Sequence, residues 1–463
     1  MTGIVNTQLW ADETFGNCEL GDSRRTQRLV KVAQRIADHP AGSLPHQMHD
    51  WSELKAAYRL FDCDDVTLEG VARPHWEQTR RSATGQTLVV CDTTELNFGS
   101  EREGLGRTGN GYGRGFLLHT ALMVDAATQS IVGVAGQTLH YRPLKKKGKK
   151  NSTQTLKGDR ESQIWGRVID DVGPPADEAQ YVYVCDRGAD NFEVMCHFEQ
   201  QHSDWVVRAK RQRRNLLTPD GEKVSALDLI PELSLLGTYE LELRARPGQA
   251  ARTAQIEVRS TRVLMPVPHH KSPWVKSLDP EPIPMQWVQV KEVNAPAKTK
   301  PIEWLLWTSL PADTFEEAWQ IIEHYESRWL IEEFHKSLKT GCQMKERQLQ
   351  TADRLEPLTG LLSVTAVYLL RLKTLSKREP DRPAKQVVPR LWLEMLKAAR
   401  PRLRRVHDLT VYGFYREVAK LGGFIGRKSD GEPGWITIWR GWEKLAMLVR
   451  GAELARNFNS KSD

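Results

Sequence analysis

The sequence predicts an α/β protein: a mixed-sheet core with an inserted antiparallel β-subdomain, flanked by helical regions at both ends. Three observations carry this. The first 70 residues hold apolar positions at helical spacing. Residues 86–210 alternate continuous apolar runs with helical stretches in the order β-β-β-α-β-α-β, which makes a mixed sheet with helices on its faces. Residues 215–300 then alternate polar and apolar, as half-exposed antiparallel strands do. At 463 residues, a soft prior of about three domains applies. We take them as 1–70, 71–375 with the β-subdomain at about 215–310, and 376–463.

The elements follow in order. LGDSRRTQRLVKVAQRIADHP has a turn-like start at Gly21-Asp22-Ser23 and apolar residues at Leu29, Val30, Val32, Ala33 and Ile36. WSELKAAYRLFD (51–62) is a second helix. QTLVVCDTT is a buried strand ending in an aspartate, followed by a Gly-rich turn (106–115). That turn joins strand to strand and lacks a Lys-Ser/Thr ending, so it is no phosphate loop. FLLHTALMVD (116–125) and QSIVGVAGQTLHYRP (129–143) complete a meander. A helix near 160–172, a strand at 180–185, a helix at 191–201 and a strand at 204–210 come next. YELELRA, TAQIEVRS and MQWVQVKEV form the β-subdomain, and PIEWLLWTS (301–309) returns to a buried strand. One long helix is expected over about 314–340. KREPDRPAK marks a linker, and 385–455 is largely helical.

Composition narrows the function classes. Hydrophobic residues make up 40% and charged residues 27%, so disorder is not the main state. No secretory signal is read at the N-terminus and no uninterrupted apolar run reaches the roughly 18 residues of a membrane span. The six cysteines are scattered without a C-x-x-C pair, which argues against a disulfide framework and a thiolate zinc site. A reducing cytoplasm fits best. The net charge is +7 and the pI near 9.0. Basic residues cluster in RPLKKKGKK (142–150), WVVRAKRQRR (205–214) and ARPRLRR (399–405). Together with fifteen tryptophans, this favours a polyanionic partner such as nucleic acid over plain basic loops.

Two aspartates end buried strands, Asp92 in VVCDTT and Asp186 in YVCDRGAD. A carboxylate there needs compensation. One alone reads equally as a helix N-cap. Two on neighbouring strands favour a shared metal. A further carboxylate comes from HYESRWLIEEFHKSLKTG (324–341). At about 100° per residue, Tyr325, Arg328, Glu332 and Lys339 fall on one face, with Leu330, Ile331, Phe334 and Leu338 opposite. A solvated face with an Arg-Glu pair is the alternative.

The spacing Y-x2-R-x3-E-x6-K resembles the motif of bacterial cut-and-paste DDE transposases of the IS-four type. CDTT (91–94), CDRGAD (185–190) and RWLIEEFHKSLKTG (328–341) look like that family's three acidic motifs in order. LGDSRRTQRL is similar to its DNA-binding segment, and LGGFIGRKSDGEPGWITIWRGWEKL (421–445) to its dimerisation segment. The resemblance spans almost the whole chain; the linker and the β-insertion match weakly.

The resemblance implies an RNase H-like core with Asp92, Asp186 and Glu332 as both catalytic residues and ligands of two Mg²⁺ (or Mn²⁺) ions, since hard cations want oxygen ligands. Glu332 is chosen over Glu333 because it shares the stripe with Arg328 and Lys339. Tyr325, Arg328 and Lys339 would contact DNA phosphates, with Arg208 and Lys210 lining the same groove. Trp304 matches the family's base-stacking position, although the nearby Trp307 leaves an ordinary core role open. Arg24, Arg25 and Arg28 would read the transposon ends, with Lys55 and Arg59 as weaker candidates. Trp435, Trp439 and Trp442 are the expected dimer contact, or a helical core. Cys91 and Cys185 are buried fillers, and His335 is an ordinary surface or DNA-facing residue. The implied function is a homodimeric transposase acting on double-stranded DNA through a hairpin intermediate, without membrane association. A silent DNA-binding inhibitor and a nuclease without strand transfer are the competing readings.

Overall fold

β-Branched and aromatic runs set a mixed sheet, as their preference for pleated, buried surfaces dictates. The computed structural model describes residues 7–39, 42–99, 102–109, 112–144, 160–210, 214–230, 233–243, 250–297, 299–427 and 430–459. Its strands are β1 (Gly85–Asn97), β2 (Gly106–Thr108), β3 (Gly113–Asp125), β4 (Ile131–His140), β5 (Ala179–Cys185), β6 (Asp204–Arg208), β7 (Asn215–Leu217), β8 (Lys223–Ser225), β9 (Ser234–Leu243), β10 (Arg252–Met265), β11 (Ile283–Glu292) and β12 (Glu303–Thr308). Among the described residues they join one sheet in the order β2-β3-β1-β5-β6-β12-β11-β10-β7-β8, with β4 on β3 and β9 on β10. The meander β1-β3-β4 is as expected. β1, β5 and β6 run parallel. The β-subdomain does not stand apart: β12 pairs antiparallel with β6, so the inserted strands extend the core sheet.

The chain forms two compact units built from interleaved segments. One comprises Met1–Thr79, Thr94–Leu117 and Glu332–Asp463; the other comprises Arg80–Thr93 and Leu118–Ile331. The second unit holds most of the sheet. Its core joins Val89, Cys91, Tyr183, Cys185, Trp205, Val207 and Trp307 to the helices Gln163–Val172 and Phe192–Gln200 through Trp165, Ile169, Met195 and Phe198. Each such side chain contributes about 1.5–3 kcal/mol by leaving water.

The first unit is mostly helical. Asp22 caps the helix Ser23–Asp38 by accepting the Arg24 N–H, which satisfies one of the orphan donors at its start. Leu29, Val32, Ala33 and Ile36 are its buried stripe, while Val30 is only partly covered. Asp50 caps the helix Trp51–Phe61 in the same way. Glu53 ties the two helices together through Arg35 and Lys31, at 3.1 and 2.7 Å. The boundaries expected near 70 and 375 fall inside the helices Leu68–Arg81 and Ala352–Arg378. The latter is long and apolar enough to cross a membrane by length and composition, but 75% of its apolar window is buried within the fold. A core helix meets the same criterion.

The single helix expected over 314–340 is three pieces: Phe315–Glu326, Trp329–Lys336 and a π-helical turn, Ser337–Gly341. The break falls at Ser327, whose hydroxyl donates to Gln129 and to the Glu323 carbonyl. A side chain that bonds back to the preceding turn competes with continued helix.

Candidate active site

Strand register builds the acidic pair. β1 and β5 are parallel neighbours with Cys91 opposite Cys185, so Asp92 and Asp186 follow at the same level. The two cysteines are buried, as expected of small fillers. β1 does not end at Asp92. It continues to Asn97, and only its partner β5 stops, because Asp186 turns the chain into the short helix Arg187–Ala189. Asp186 Oδ1 accepts the Gly188 N–H at 2.7 Å, so the capping role and the paired-carboxylate role coexist. Asp92 Oδ1 accepts the Thr93 N–H at 2.7 Å. Arg328 Nη1 lies 3.8 Å from Asp92 Oδ2.

Two supports went unread in the sequence. The Thr93 hydroxyl meets Nδ1 of the buried His119 at 2.8 Å, and that ring stands edge-on to Trp165. Asp190, the closing residue of CDRGAD, is buried and accepts the Lys210 N–H at 2.6 Å, with Arg214 Nη1 2.7 Å away. Burial pushes the Asp190 carboxyl up, and Arg214 opposes it. The spacing of the motif was visible, but the partner twenty-four residues on was not.

Five expected DNA contacts, Arg328 among them, fall in the same unit. Trp304 is half-buried and meets Tyr325 edge-on at 5.1 Å. Trp307 is the core member, packed on Trp287; the two tryptophans point to opposite faces of β12, as strand alternation requires. Arg208 donates to the Glu303 carbonyl and lies against Tyr325. Tyr325 is buried, not on an open face, and burial raises its pKa with Arg208 and Arg328 opposing. The turn at 327–328 removes it from the phase of a continuous helix. Lys210 is exposed at the end of β6.

Glu332 and Lys339 belong to the other unit. Glu332 is exposed, whereas Glu333 is committed to Lys373 and to Lys336, the latter at 3.2 Å. Burial disfavours the Glu333 charge, but the lysines hold its pKa low. Lys339 sits in the π-helical turn, off the regular α phase. Such turns recur at functional sites. His335 is buried, contrary to expectation, and burial pulls its pKa down to about 3. Leu330, Ile331, Phe334 and Leu338 are all buried as the periodicity predicted.

In the helical unit, Arg24 is exposed and paired with Asp22 at 2.7 Å. Arg25 bonds the Leu20 carbonyl and Asp65, and Arg28 is partly exposed. Helix Trp51–Phe61 adds a stripe of Trp51, Lys55, Tyr58 and Arg59, with Trp51 72% and Tyr58 37% exposed. Of the basic clusters, 145–150 and 211–213 lie outside the described residues. In the third, Arg400 and Arg402 are tied to Glu417. Trp435, Trp439 and Trp442 are buried within the chain; Trp435 stacks on Trp439, and Trp442 packs against Trp392 at a tilt. They are core here, one of the two roles the sequence left open.

Paired oxygen donors on neighbouring strands suit a hard divalent cation. Comparison with known families agrees. Residues 7–66 match the family described as transposase DNA-binding, 84–369 the transposase DDE domain, and 365–462 the transposase Tn5 dimerisation domain. The DDE match covers more than half the chain, and the meander followed by two parallel strands is the RNase H-like core it implies. The chain therefore belongs to the DDE transposase family, resembling the Tn5 transposase, with DNA-binding and dimerisation segments on either side of a metal-dependent catalytic core.

Proposed function

We propose that the protein binds transposon ends as a homodimer, cuts them through a hairpin intermediate and joins the freed 3′ ends to target DNA. The observation that carries this is the level placement of Asp92 and Asp186 on adjacent parallel strands with Arg328 beside them. Asp92, Asp186 and Glu332 would hold two Mg²⁺ (or Mn²⁺) ions. Bound there, the ions would supply Lewis-acid activation of the attacking hydroxyl and stabilisation of the leaving oxygen.

The chain's own residues do the rest. Arg328, Lys339, Arg208 and Lys210 hold phosphates of the cleaved end, which fixes the attacking oxygen in line with its target. In the hairpin step the freed 3′ oxygen forms a bond to phosphorus in the opposite strand, and that phosphorus loses its own 3′ oxygen. The tight turn needs an unstacked base, and Trp304, braced by Tyr325, offers an aromatic face for it. Arg24, Arg25, Arg28 and the Trp51–Arg59 stripe supply end binding. The working compartment is the bacterial cytoplasm, at the nucleoid.

The test uses labelled duplexes of the inverted repeats with supercoiled plasmid, with and without Mg²⁺. Hairpins and joined products that require metal support the reading. Cutting without joining indicates a nuclease, and tight binding without cutting in Mg²⁺ or Mn²⁺ indicates an inhibitor.

A further inference from the structure

Away from the acidic pair, within the helical unit, three metal-competent side chains converge. His39 follows the helix Ser23–Asp38, His46 lies in the short helix Leu44–Gln47, and Glu443 comes from the helix Trp435–Asn459. Their ligand atoms all lie within 4.8 Å of one another. His39 Nδ1 stands 3.5 Å and His46 Nε2 3.2 Å from the same oxygen, Glu443 Oε1. A tetrahedral site with metal–ligand bonds of about 2.0 Å has donor atoms about 3.3 Å apart. The two separations bracket that edge. The His39 Nδ1 atom is buried and has no hydrogen-bond partner among the described residues, an unmet need that a cation would satisfy.

We propose that His39, His46 and Glu443 form a binding site for a zinc-like divalent transition metal, joining the DNA-binding segment to the dimerisation segment of the same chain. Two imidazoles and one carboxylate are a zinc ligand set, and a water would complete four-coordination. The donor chemistry differs from that of Asp92 and Asp186. Imidazole nitrogens favour zinc, whereas Mg²⁺ prefers oxygen alone, so the two sites would not compete for one ion.

The surroundings hold the ligands in place. The Gly42 N–H donates to the His39 carbonyl at 3.0 Å, and Gln47 Nε2 donates to that carbonyl at 2.7 Å. Buried Arg347 donates to the Gly42 carbonyl at 2.7 Å and to Gln47 Oε1 at 3.0 Å. Outer contacts of this kind fix ligand orientation. The field is mixed. Asp38, Glu443 and the negative end of the helix Ser23–Asp38 favour a cation near His39, and Arg450 opposes it.

The test is calorimetric titration of tag-free protein with Zn²⁺ in excess Mg²⁺. One zinc per chain is expected. His46→Ala and Glu443→Gln should each weaken it about tenfold or more, while Asp92→Asn leaves it unchanged. Cobalt loaded in place of zinc should give the intense visible band of four-coordinate Co²⁺, lost in His46→Ala. His46 is exposed, so its loss does not threaten folding, and circular dichroism checks this. Absence of stoichiometric zinc, zinc binding indifferent to both substitutions, or binding lost in Asp92→Asn would overturn the proposal.

Discussion

Asp92 and Asp186 are distinguished by what their carboxylates already do. Each spends one oxygen on a nearby backbone N–H, which fixes its rotamer. Asparagine keeps that acceptor but removes the charge. Asp92→Asn or Asp186→Asn should therefore lower strand cleavage about 10³-fold, since charge stabilisation at such sites is worth several kcal/mol. End binding measured by gel shift should stay within about threefold. Full cleavage by either variant would sink the assignment. His75 makes a stability prediction at the same scale. A histidine in the unfolded chain titrates near about 6.5, but burial, with Arg371 adding to it, takes folded His75 down to about 3. Between those values the unfolded chain holds the extra proton. Stability from this group is thus fully present above about 6.5 and is lost as pH falls, by about 1.4 kcal/mol per unit. Urea unfolding at pH 7 and pH 5 should show the loss, and His75→Gln should flatten it.

At the level of elements, close approach decides more than propensity. A β-carbon on Gly441 would stand 1.8 Å from the Val418 carbonyl oxygen, and one on Gly422 would stand 1.9 Å from that of Thr437. The helices Val411–Leu421 and Trp435–Asn459 therefore cross backbone to backbone. Gly441→Ala should cost about 2 kcal/mol or more by overpacking, read as a lower denaturation midpoint, even though alanine is the better helix former. The break at Ser327 is the second such case. Its hydroxyl holds the turn that carries Arg328 to 3.8 Å from Asp92. Ser327→Ala should slow cleavage by about tenfold, through lost positioning, with little effect on the denaturation midpoint. An unchanged rate would make the turn incidental.

Across the whole molecule, the segment matched to dimerisation has an inside and an outside. Trp442 packs on Trp392 within the chain, so Trp442→Ala should cost about 3–5 kcal/mol by opening a cavity. Its effect on dimerisation would then follow unfolding. Ile436 and Met447, on the same helix, are exposed. Ile436→Asp should leave the midpoint nearly unchanged and weaken end-pairing complexes on native gels. If Trp442→Ala instead left stability intact and abolished pairing alone, the tryptophans would be contact residues after all.

The sequence by itself determined the local chemistry. Apolar periodicity located the longer strands and most helices, and VVCDTT and YVCDRGAD placed two carboxylates just past buried runs. The spacing through Tyr325, Arg328, Glu332 and Lys339 named the family before any geometry was known. These signals are short-range, because burial repeats every two residues in a strand and every three to four in a helix. Only the tertiary structure decided what depends on distant partners. It gave Glu333 a partner in Lys373, forty residues away. It separated Trp304 from Trp307 by the face each takes. It broke the 314–340 helix at a serine, buried Tyr325 and His335, and packed Trp435, Trp439 and Trp442 inside the chain. It also merged the inserted strands with the central sheet through β6 and β12. None of these is written in a window of sequence, because each is set by which side chain arrives from elsewhere to satisfy a buried charge, a cavity or an open strand edge.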